Sequence, residues 1–164
     1  MLIRKIVRST ASASGLMVLI VATAMVAFPV PSRATDITWH SRGEPAVWNN
    51  ANYERKGTVD FKTGETGSFI SYGTNRPTDK GLTPFVSQYV LRFDDLSSII
   101  VRMAGNFDEA IRVAKGSGEI LGGTGRFEGI TGKVTVVSRF SGGSAPEMDW
   151  TGSYSLPSDS RISQ

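Results

Sequence analysis

The sequence predicts an all-β protein, namely a small antiparallel β-barrel of about eight strands. Seven or eight short segments alternate apolar and polar side chains, and clusters of turn-forming residues separate them. After the N-terminal segment, no stretch has a convincing long helical period. An antiparallel sheet must cover its apolar face, and a closed barrel does so without exposed edges. A β-sandwich is the alternative.

Residues 1–34 have the pattern of a signal peptide. Three basic residues between positions 4 and 8 precede an apolar run at 15–28, and Ser32-Arg33-Ala34 supplies small residues at the cleavage positions. The run is shorter than the roughly 20 residues that a spanning helix needs, and two prolines close it. We therefore expect cleavage after Ala34 and export to the periplasm or the extracellular space, without stable membrane insertion afterwards.

Removal of this segment changes the charge of the protein. It holds four of the 18 Lys and Arg residues and none of the 15 acidic residues, so the mature chain has 14 basic and 15 acidic residues and a net charge of −1. The basic character of the whole sequence thus gives no support for a nucleic-acid partner. The remainder predicts one β-barrel domain at 35–157, followed by a disordered polar tail at 158–164.

The composition excludes several kinds of chemistry. The sequence contains no cysteine, which rules out disulfides, thiol catalysis, cysteine metal sites and a lipid anchor on cysteine. Its single histidine, His40, disfavours a histidine metal centre and a Ser-His-Asp triad, and indicates a surface or packing role instead. No calcium loop is present. The sequence predicts no metal and no cofactor.

The first half of the mature chain yields one clear hairpin. Residues 36–52 lack a period and predict a short edge strand and a loop over one end of the core. From Gly57 onward, Val59 and Phe61 alternate with polar residues, and a turn at 63–65 leads to a second strand at 67–72. Residues 73–84 predict a surface loop.

The second half continues the alternation. A hairpin is expected from strands at 85–93 and 99–103 around a turn at 94–97. Residues 106–115 are compatible with a short helix, although the alternation of Ile111 and Val113 favours a strand. The last two strands, at 133–140 and 148–156, are separated by a turn at 142–146.

Residues 116–140 are rich in glycine before they become an alternating strand. The glycines lack the Gly-Lys-Ser/Thr ending of a phosphate-binding loop and the G-x-G-x-x-G spacing of a dinucleotide site. They are therefore expected to serve geometry, at turns, bulges and close backbone contacts. Phe127 and Ile130 would fill the core, while Arg126 and Glu128 would face outward or pair locally.

Within this stretch, residues 123–132 read Gly-Thr-Gly-Arg-Phe-Glu-Gly-Ile-Thr-Gly. They resemble the Gly-Thr/Ser-Gly-x-Phe-x-Gly-x-x-Gly segment of the allene oxide cyclase and dirigent barrel superfamily, and especially its exported, barrel-like members. The resemblance is specific over 116–140 and extends elsewhere only to strand order. It implies a barrel fold.

The catalytic residues of that superfamily have no match in this sequence. Around Tyr53-Glu54-Arg55-Lys56-Gly57, Glu54 is a counterpart of the cyclase acidic residue, but the surrounding Asn-Glu-x-Asp-Arg pattern and the following proline are missing. The aspartates, arginines and tyrosines of dirigent catalysis cannot be matched position by position either. Function does not transfer with a fold, and catalytic residues stay unknown.

Aromatic and apolar side chains supply the candidate binding site. If the barrel is narrow, these rings fill it; if it is wider, they line a pocket for a small apolar ligand, with Arg102 or tyrosine hydroxyls near the mouth. The residues predicted to bind a ligand are Tyr89, Phe93, Arg102, Phe140, Trp150 and Tyr154. The paired carboxylates at 94–95, 108–109 and 147–149 are more typical of solvated turns than of an acid–base pair.

These observations favour an exported barrel that binds a small hydrophobic or aromatic molecule, without assignable catalysis. One alternative is an isomerase, cyclase or coupling-guiding protein of allene oxide cyclase or dirigent type, which an interior Glu54 or Arg102 would favour. Another is a structural, envelope-associated homo-oligomer.

Overall fold

The computed structural model describes residues 34–76, 81–141 and 145–157. The described residues form nine strands and one short 3-10 turn at Gly125–Phe127. The strands are β1 (Thr35–Gly43), β2 (Val47–Asn49), β3 (Asn52–Phe61), β4 (Thr66–Asn75), β5 (Leu82–Arg92), β6 (Ser98–Asp108), β7 (Val113–Thr124), β8 (Thr131–Phe140) and β9 (Pro146–Ser155). Residues 1–33 of the predicted signal peptide, the predicted tail at 158–164, and residues 142–144 of the predicted last turn lie outside the described residues.

Strand β1 closes the sheet into a barrel. It pairs antiparallel with β9 on one side and with β3 on the other, so that Trp39 lies opposite both Trp150 and Phe61. The barrel wall consists of eight strands, and the short β2 pairs only with β3 and lies outside the closed ring. The predicted all-β antiparallel barrel of about eight strands is therefore confirmed, and the sandwich alternative is wrong.

The prediction for residues 36–52 was wrong about the role of β1. This segment is a nine-residue strand in the wall of the barrel and is paired on both edges. Its inward positions include Ser41 and Gly43 as well as Trp39, so small side chains hide the apolar alternation. Ser41 is buried, and its Oγ accepts a hydrogen bond of 2.9 Å from Trp150 Nε1, which offsets the loss of water.

Two further boundaries differ from the predictions. Strand β4 extends to Asn75 and strand β5 begins at Leu82, so the loop predicted at 73–84 is much shorter. Residues 77–80 of that loop lie outside the described part. Residues 109–112, where a strand was favoured, form the turn between β6 and β7, in which Asp108 Oδ1 accepts a hydrogen bond of 3.0 Å from the Ala110 amide. Flanking residues 106–108 and 113–115 are strand, and Ile111 is exposed.

Aromatic rings fill the middle of the barrel. Trp39 stacks on Trp150 with their ring centroids 5.0 Å apart, and Phe61 lies 5.5 Å from Trp39 on its other side. Tyr89 meets Trp150 edge to face at 4.9 Å. This contact joins the ring stack to β5, and the barrel is solid at this level.

The glycine-rich segment bends the wall and closes one end. At Gly118, an added Cβ would lie 2.0 Å from the Arg102 carbonyl oxygen and 2.4 Å from Met103 Sδ, so only glycine fits there. Gly129 has φ +73, in the left-handed region that favours glycine. A register shift between β6 and β7 at Ile100/Val101 adds a bulge. The expectation that these glycines serve geometry is confirmed.

Arg126 seals this closed end of the barrel. Its guanidinium lies over the rings of Phe93 and Phe127, 5.0 and 4.6 Å from their centroids. It also forms ion pairs with Glu65 and with Asp95, the second at 3.3 Å between Nε and Oδ2. Arg126 thus pairs locally, as predicted, and it ties the 3-10 turn to the β3–β4 and β5–β6 turns.

Candidate functional site

A pocket opens at the other end of the barrel, which we call the open end. Its volume is about 280 Å³. Five aromatic residues line it: Tyr53, Phe85, Tyr89, Phe107 and Phe140. Pro45 and Trp48 border the mouth, and Trp48 lies 5.1 Å from Tyr53 between ring centroids. The Trp150 stack lies below Tyr89 and limits the depth of the pocket.

Arg55 brings a cation into this pocket. Strand β3 turns alternate residues inward, and Arg55 shares the inward face with Tyr53, Val59 and Phe61. Its guanidinium carbon lies 5.5 Å from the ring centroid of Tyr53 and 5.5 Å from that of Phe140. Its Nε is buried and has no hydrogen-bond partner among the described residues. Burial lowers the pKa of Arg55, because the charged form loses its hydration.

Two tyrosine hydroxyls add neutral polar groups to the same region. Burial raises the pKa values of Tyr53 and Tyr89, since the phenolate would lose its hydration. The Tyr89 hydroxyl lies 3.8 Å from Met148 Sδ. Ser87, two residues before Tyr89 on the inward face of β5, is buried, and its hydroxyl interacts with both tyrosines and partly opposes the rise of their pKa values. The pocket therefore combines apolar walls with a cation and uncharged hydroxyls.

A second arginine stands at the mouth. Arg112 lies in the β6–β7 turn, and its Nε donates a hydrogen bond of 3.1 Å to the Phe140 carbonyl oxygen. The Phe140 amide in turn donates to the Arg112 carbonyl oxygen at 3.1 Å. These two hydrogen bonds hold the turn against the end of β8, so that Arg112 borders the pocket.

The structure divides the six predicted site residues among three places. Tyr89 and Phe140 line the pocket. Trp150 is a buried core residue beneath it, while Phe93 and the partly buried Tyr154 pack at the closed end.

Arg102 lies on the outer wall, where it lines an open groove and not the mouth of this pocket, so its role in ligand binding stays a prediction. Its guanidinium is exposed and lies 3.3 Å from a Glu119 carboxylate oxygen. The strand period explains this position. Val101 and Met103 flank Arg102 and point inward, so Arg102 points outward.

Sequence reasoning missed Arg55 and Tyr53. The alternation of Val59 and Phe61 continues backward through Gly57 to both residues, so the parity of β3 could have found them. The sequence comparison instead singled out Glu54, which faces outward and lies 3.4 Å from Lys56 Nζ.

His40 lies on the outer surface. Its Nδ1 lies 2.9 Å from Asp149 Oδ1, and Arg139 pairs with the same carboxylate. Hydrogen bonds from His40 and Arg139 lower the pKa of Asp149. The expected surface role of His40 agrees with this position.

A second concave region of the described chain is more open to solvent than the pocket. An open groove of about 970 Å³ runs along the outer wall between β6 and β9 and is lined by small and charged side chains such as Ser117, Lys133 and Thr135. Within residues 34–76, 81–141 and 145–157, no group of three or more His, Asp or Glu side chains could hold a metal ion. The same residues contain no helix that is long and apolar enough to cross a membrane.

Comparison with known proteins finds no family model that matches the chain and no similar curated protein. The resemblance to the allene oxide cyclase and dirigent superfamily therefore stays a prediction from residues 116–140. The barrel itself is common to many unrelated functions and does not identify a family.

Proposed function

We propose that this protein binds a small hydrophobic or aromatic molecule in the pocket at the open end of the barrel. One observation carries the proposal: an aromatic-walled cavity lies at one end of a barrel that is otherwise filled with side chains. Ligand pockets are typically concave and apolar with a few polar groups, and range from roughly 300 to 1,000 Å³. A volume of about 280 Å³ is at the lower limit of that range and suits a molecule of about one ring.

We extend the proposal to an exported protein that acts in the periplasm or outside the cell. Strand β1 begins at Thr35, directly after the predicted cleavage position. Cleavage there would leave every strand of the barrel intact. Mass determination of the mature N-terminus should give Thr35 as the first residue, and an uncleaved chain or a first residue beyond Thr35 would overturn this part.

The two alternatives have less support. An interior Glu54 or Arg102 would have favoured a cyclase or coupling-guiding role. Both side chains lie on the outer wall instead. An assembly role rests on the resemblance and is open to light scattering of the purified protein.

A pair of variants tests the binding proposal. Ala114 lines the pocket on β7, and Ala104 lies exposed on the outer face of the neighbouring β6. Native mass spectrometry of the full chain, after exposure to hydrophobic and aromatic metabolite extracts, is expected to give a small-molecule adduct. Ala114→Phe should abolish the adduct because the new ring occupies the pocket, and Ala104→Phe should keep it.

The wild-type protein decides the outcome. Absence of any adduct from it would overturn the proposal. An adduct that survives in Ala114→Phe, with the folded state verified by circular dichroism, would place the ligand elsewhere and would also overturn it.

A further inference from the structure

We propose that the ligand of the open-end pocket is an anion, specifically a small apolar monocarboxylate whose carboxylate pairs with Arg55. This inference rests on the proposed binding function and adds the chemical class of the ligand.

The pocket contains positive charge without a negative partner. Arg55 and Arg112 both line it, and no Asp or Glu does. No described carboxylate lies within ion-pair distance of Arg55, whereas Arg42, Arg102, Arg126 and Arg139 all have acidic partners on the surface. Arg55 is half-buried, and a cation that is partly removed from water without a counter-ion is unfavourable. An anionic ligand would supply the missing charge.

The geometry of Arg55 leaves its hydrogen bonds available. The rings of Tyr53 and Phe140 lie at 5.5 Å from the guanidinium carbon and restrict its position. These rings offer no carboxylate or carbonyl acceptor to the N–H groups, and Nε is buried without a partner. A planar guanidinium matches the two oxygens of a carboxylate, which accept two parallel hydrogen bonds. The terminal N–H groups of Arg55 have no acidic partner among the described residues, and they therefore favour a carboxylate over a neutral ligand.

The remaining walls favour an apolar body on that anion. Phe85, Phe107 and Phe140 contribute rings, and the hydroxyls of Tyr53 and Tyr89 are neutral at physiological pH, where burial keeps them further from ionisation by raising their pKa values. A hydrated inorganic ion would gain little from such walls. Arg112 at the mouth would raise the local concentration of anions. An aromatic or branched monocarboxylate of about one ring satisfies the walls and the charge together.

Matched pairs of acid and amide test the charge requirement. Isothermal titration calorimetry of the full chain would compare 3-phenylpropanoate with 3-phenylpropanamide, and benzoate with benzamide, each pair having the same shape. Acetate tests the charge without the apolar body. We expect each aromatic carboxylate to bind at least 10-fold more tightly than its amide, and acetate to bind more weakly than either aromatic carboxylate.

Arg55 variants assign the preference to one residue. A charge-assisted hydrogen bond contributes enough that Arg55→Gln should weaken carboxylate binding about 10- to 100-fold. The same variant should change amide binding less than about 3-fold, and Arg55→Lys should keep a part of the carboxylate preference because it keeps the charge. The control Arg102→Gln removes an arginine from the outer wall and should change neither affinity. Far-UV circular dichroism and thermal unfolding show whether each variant is folded.

The outcomes separate this inference from the proposed function. Equal affinity for acid and amide would overturn the inference and leave apolar binding intact. A carboxylate preference that persists in folded Arg55→Gln would overturn the role of Arg55. Acetate as tight as the aromatic acids would overturn the apolar part. If no acid or amide binds at millimolar concentration, the inference fails, and the metabolite-adduct experiment decides separately whether the proposed function fails as well.

Discussion

We propose that Arg55 serves binding at the expense of stability. Its guanidinium is partly desolvated, and its contacts are two aromatic rings instead of an acidic partner. Replacing buried ionic groups by hydrophobic residues of similar size is often neutral or stabilising. Arg55→Met is therefore expected to raise the free energy of unfolding by about 1 kcal/mol, while it abolishes the preference for carboxylates. Denaturant titration by circular dichroism measures the first effect.

Arg102→Met is the matched control for this prediction. Its exposed ion pair with Glu119 contributes little, so the change should stay within about 0.5 kcal/mol. A loss of more than about 1 kcal/mol in Arg55→Met would show that the ring contacts of Arg55 outweigh its desolvation.

The buried tyrosines make the fold sensitive to alkaline pH. The pKa values of Tyr53 and Tyr89 are raised in the folded protein, whereas in the unfolded chain they stay near the ordinary value of about 10. Above that pH the unfolded chain has fewer bound protons than the folded one, so the stability is full below pH 10 and is lost as the pH rises further. Thermal unfolding at pH 8 to 11 should show this fall, and it should be smaller in Tyr89→Phe. An identical slope in that variant would contradict the assignment.

At the same scale, the sequence predicted buried apolar residues better than polar site residues. Tyr89 and Trp150 point inward because they follow the apolar parity of their strands. Arg102 has the opposite parity to Val101 and Met103 and so lies outside, while Arg55 has the parity of Val59 and lies inside. Parity alone could have placed both arginines. The lack of a hydrogen-bond partner for Arg55 Nε could not have been predicted, because it depends on which side chains of other strands lie near Arg55.

Among the elements, β7 depends on inward glycines to approach β6. Gly118 lies opposite Met103, and any Cβ there would meet the Arg102 carbonyl oxygen at 2.0 Å. A backbone oxygen cannot move aside without a shift of β6, so Gly118→Ala is expected to destabilise the barrel by about 1–3 kcal/mol. Denaturant unfolding would measure the loss.

Ser117→Ala provides the control on the same strand. Ser117 is exposed on the outer face, and its substitution should change stability by less than about 0.5 kcal/mol. Equal effects of Gly118→Ala and Ser117→Ala would show that the two strands separate easily, and would contradict the proposed reason for the glycine.

The elements that sequence reasoning missed share one physical cause. Strand β1 and the far ends of β4 and β5 have small inward residues, such as Ser41, Gly73 and Thr83, where an apolar alternation was sought. Small inward residues suit positions where large rings cross the interior, and Gly73 lies so close to Tyr53 that an added Cβ would be 2.5 Å from its hydroxyl oxygen. Whether such a segment forms a strand depends on the strands with which it pairs, and these are distant in sequence. The alternation within the segment does not show that pairing.

For the whole molecule, alternation and turn spacing were enough to predict the all-β antiparallel barrel, since closure is the way to pair every edge of such a sheet. They were not enough to predict which end is open. The predicted ligand residues included Phe93 and Tyr154 from the closed end together with Tyr89 and Phe140 from the open end. Strand order along the chain does not reveal that the 3-10 turn and Arg126 seal one end.

Because the barrel has one closed end and one open end, we expect substitutions at the closed end to change stability and substitutions at the open end to change ligand affinity. At the closed end, Arg126→Ala removes two ion pairs and two ring contacts and should lower stability by about 1 kcal/mol without changing ligand affinity. At the open end, Trp48 is 53% exposed and packs on Tyr53. Trp48→Ala should therefore weaken ligand binding about 2- to 10-fold, with a stability change below about 0.5 kcal/mol.

Each variant is the control for the other, and both quantities are measured in both proteins, by calorimetric titration with 3-phenylpropanoate and by denaturant unfolding. The experiment also locates the entrance, because a ligand that entered through the closed end would bind differently once the Arg126 seal is removed. A change of affinity in Arg126→Ala with no change in Trp48→Ala would reverse the assignment of the two ends. Loss of affinity in both would indicate that the aromatic stack transmits changes along the whole barrel, so that the pocket could not be treated as independent of the core beneath it.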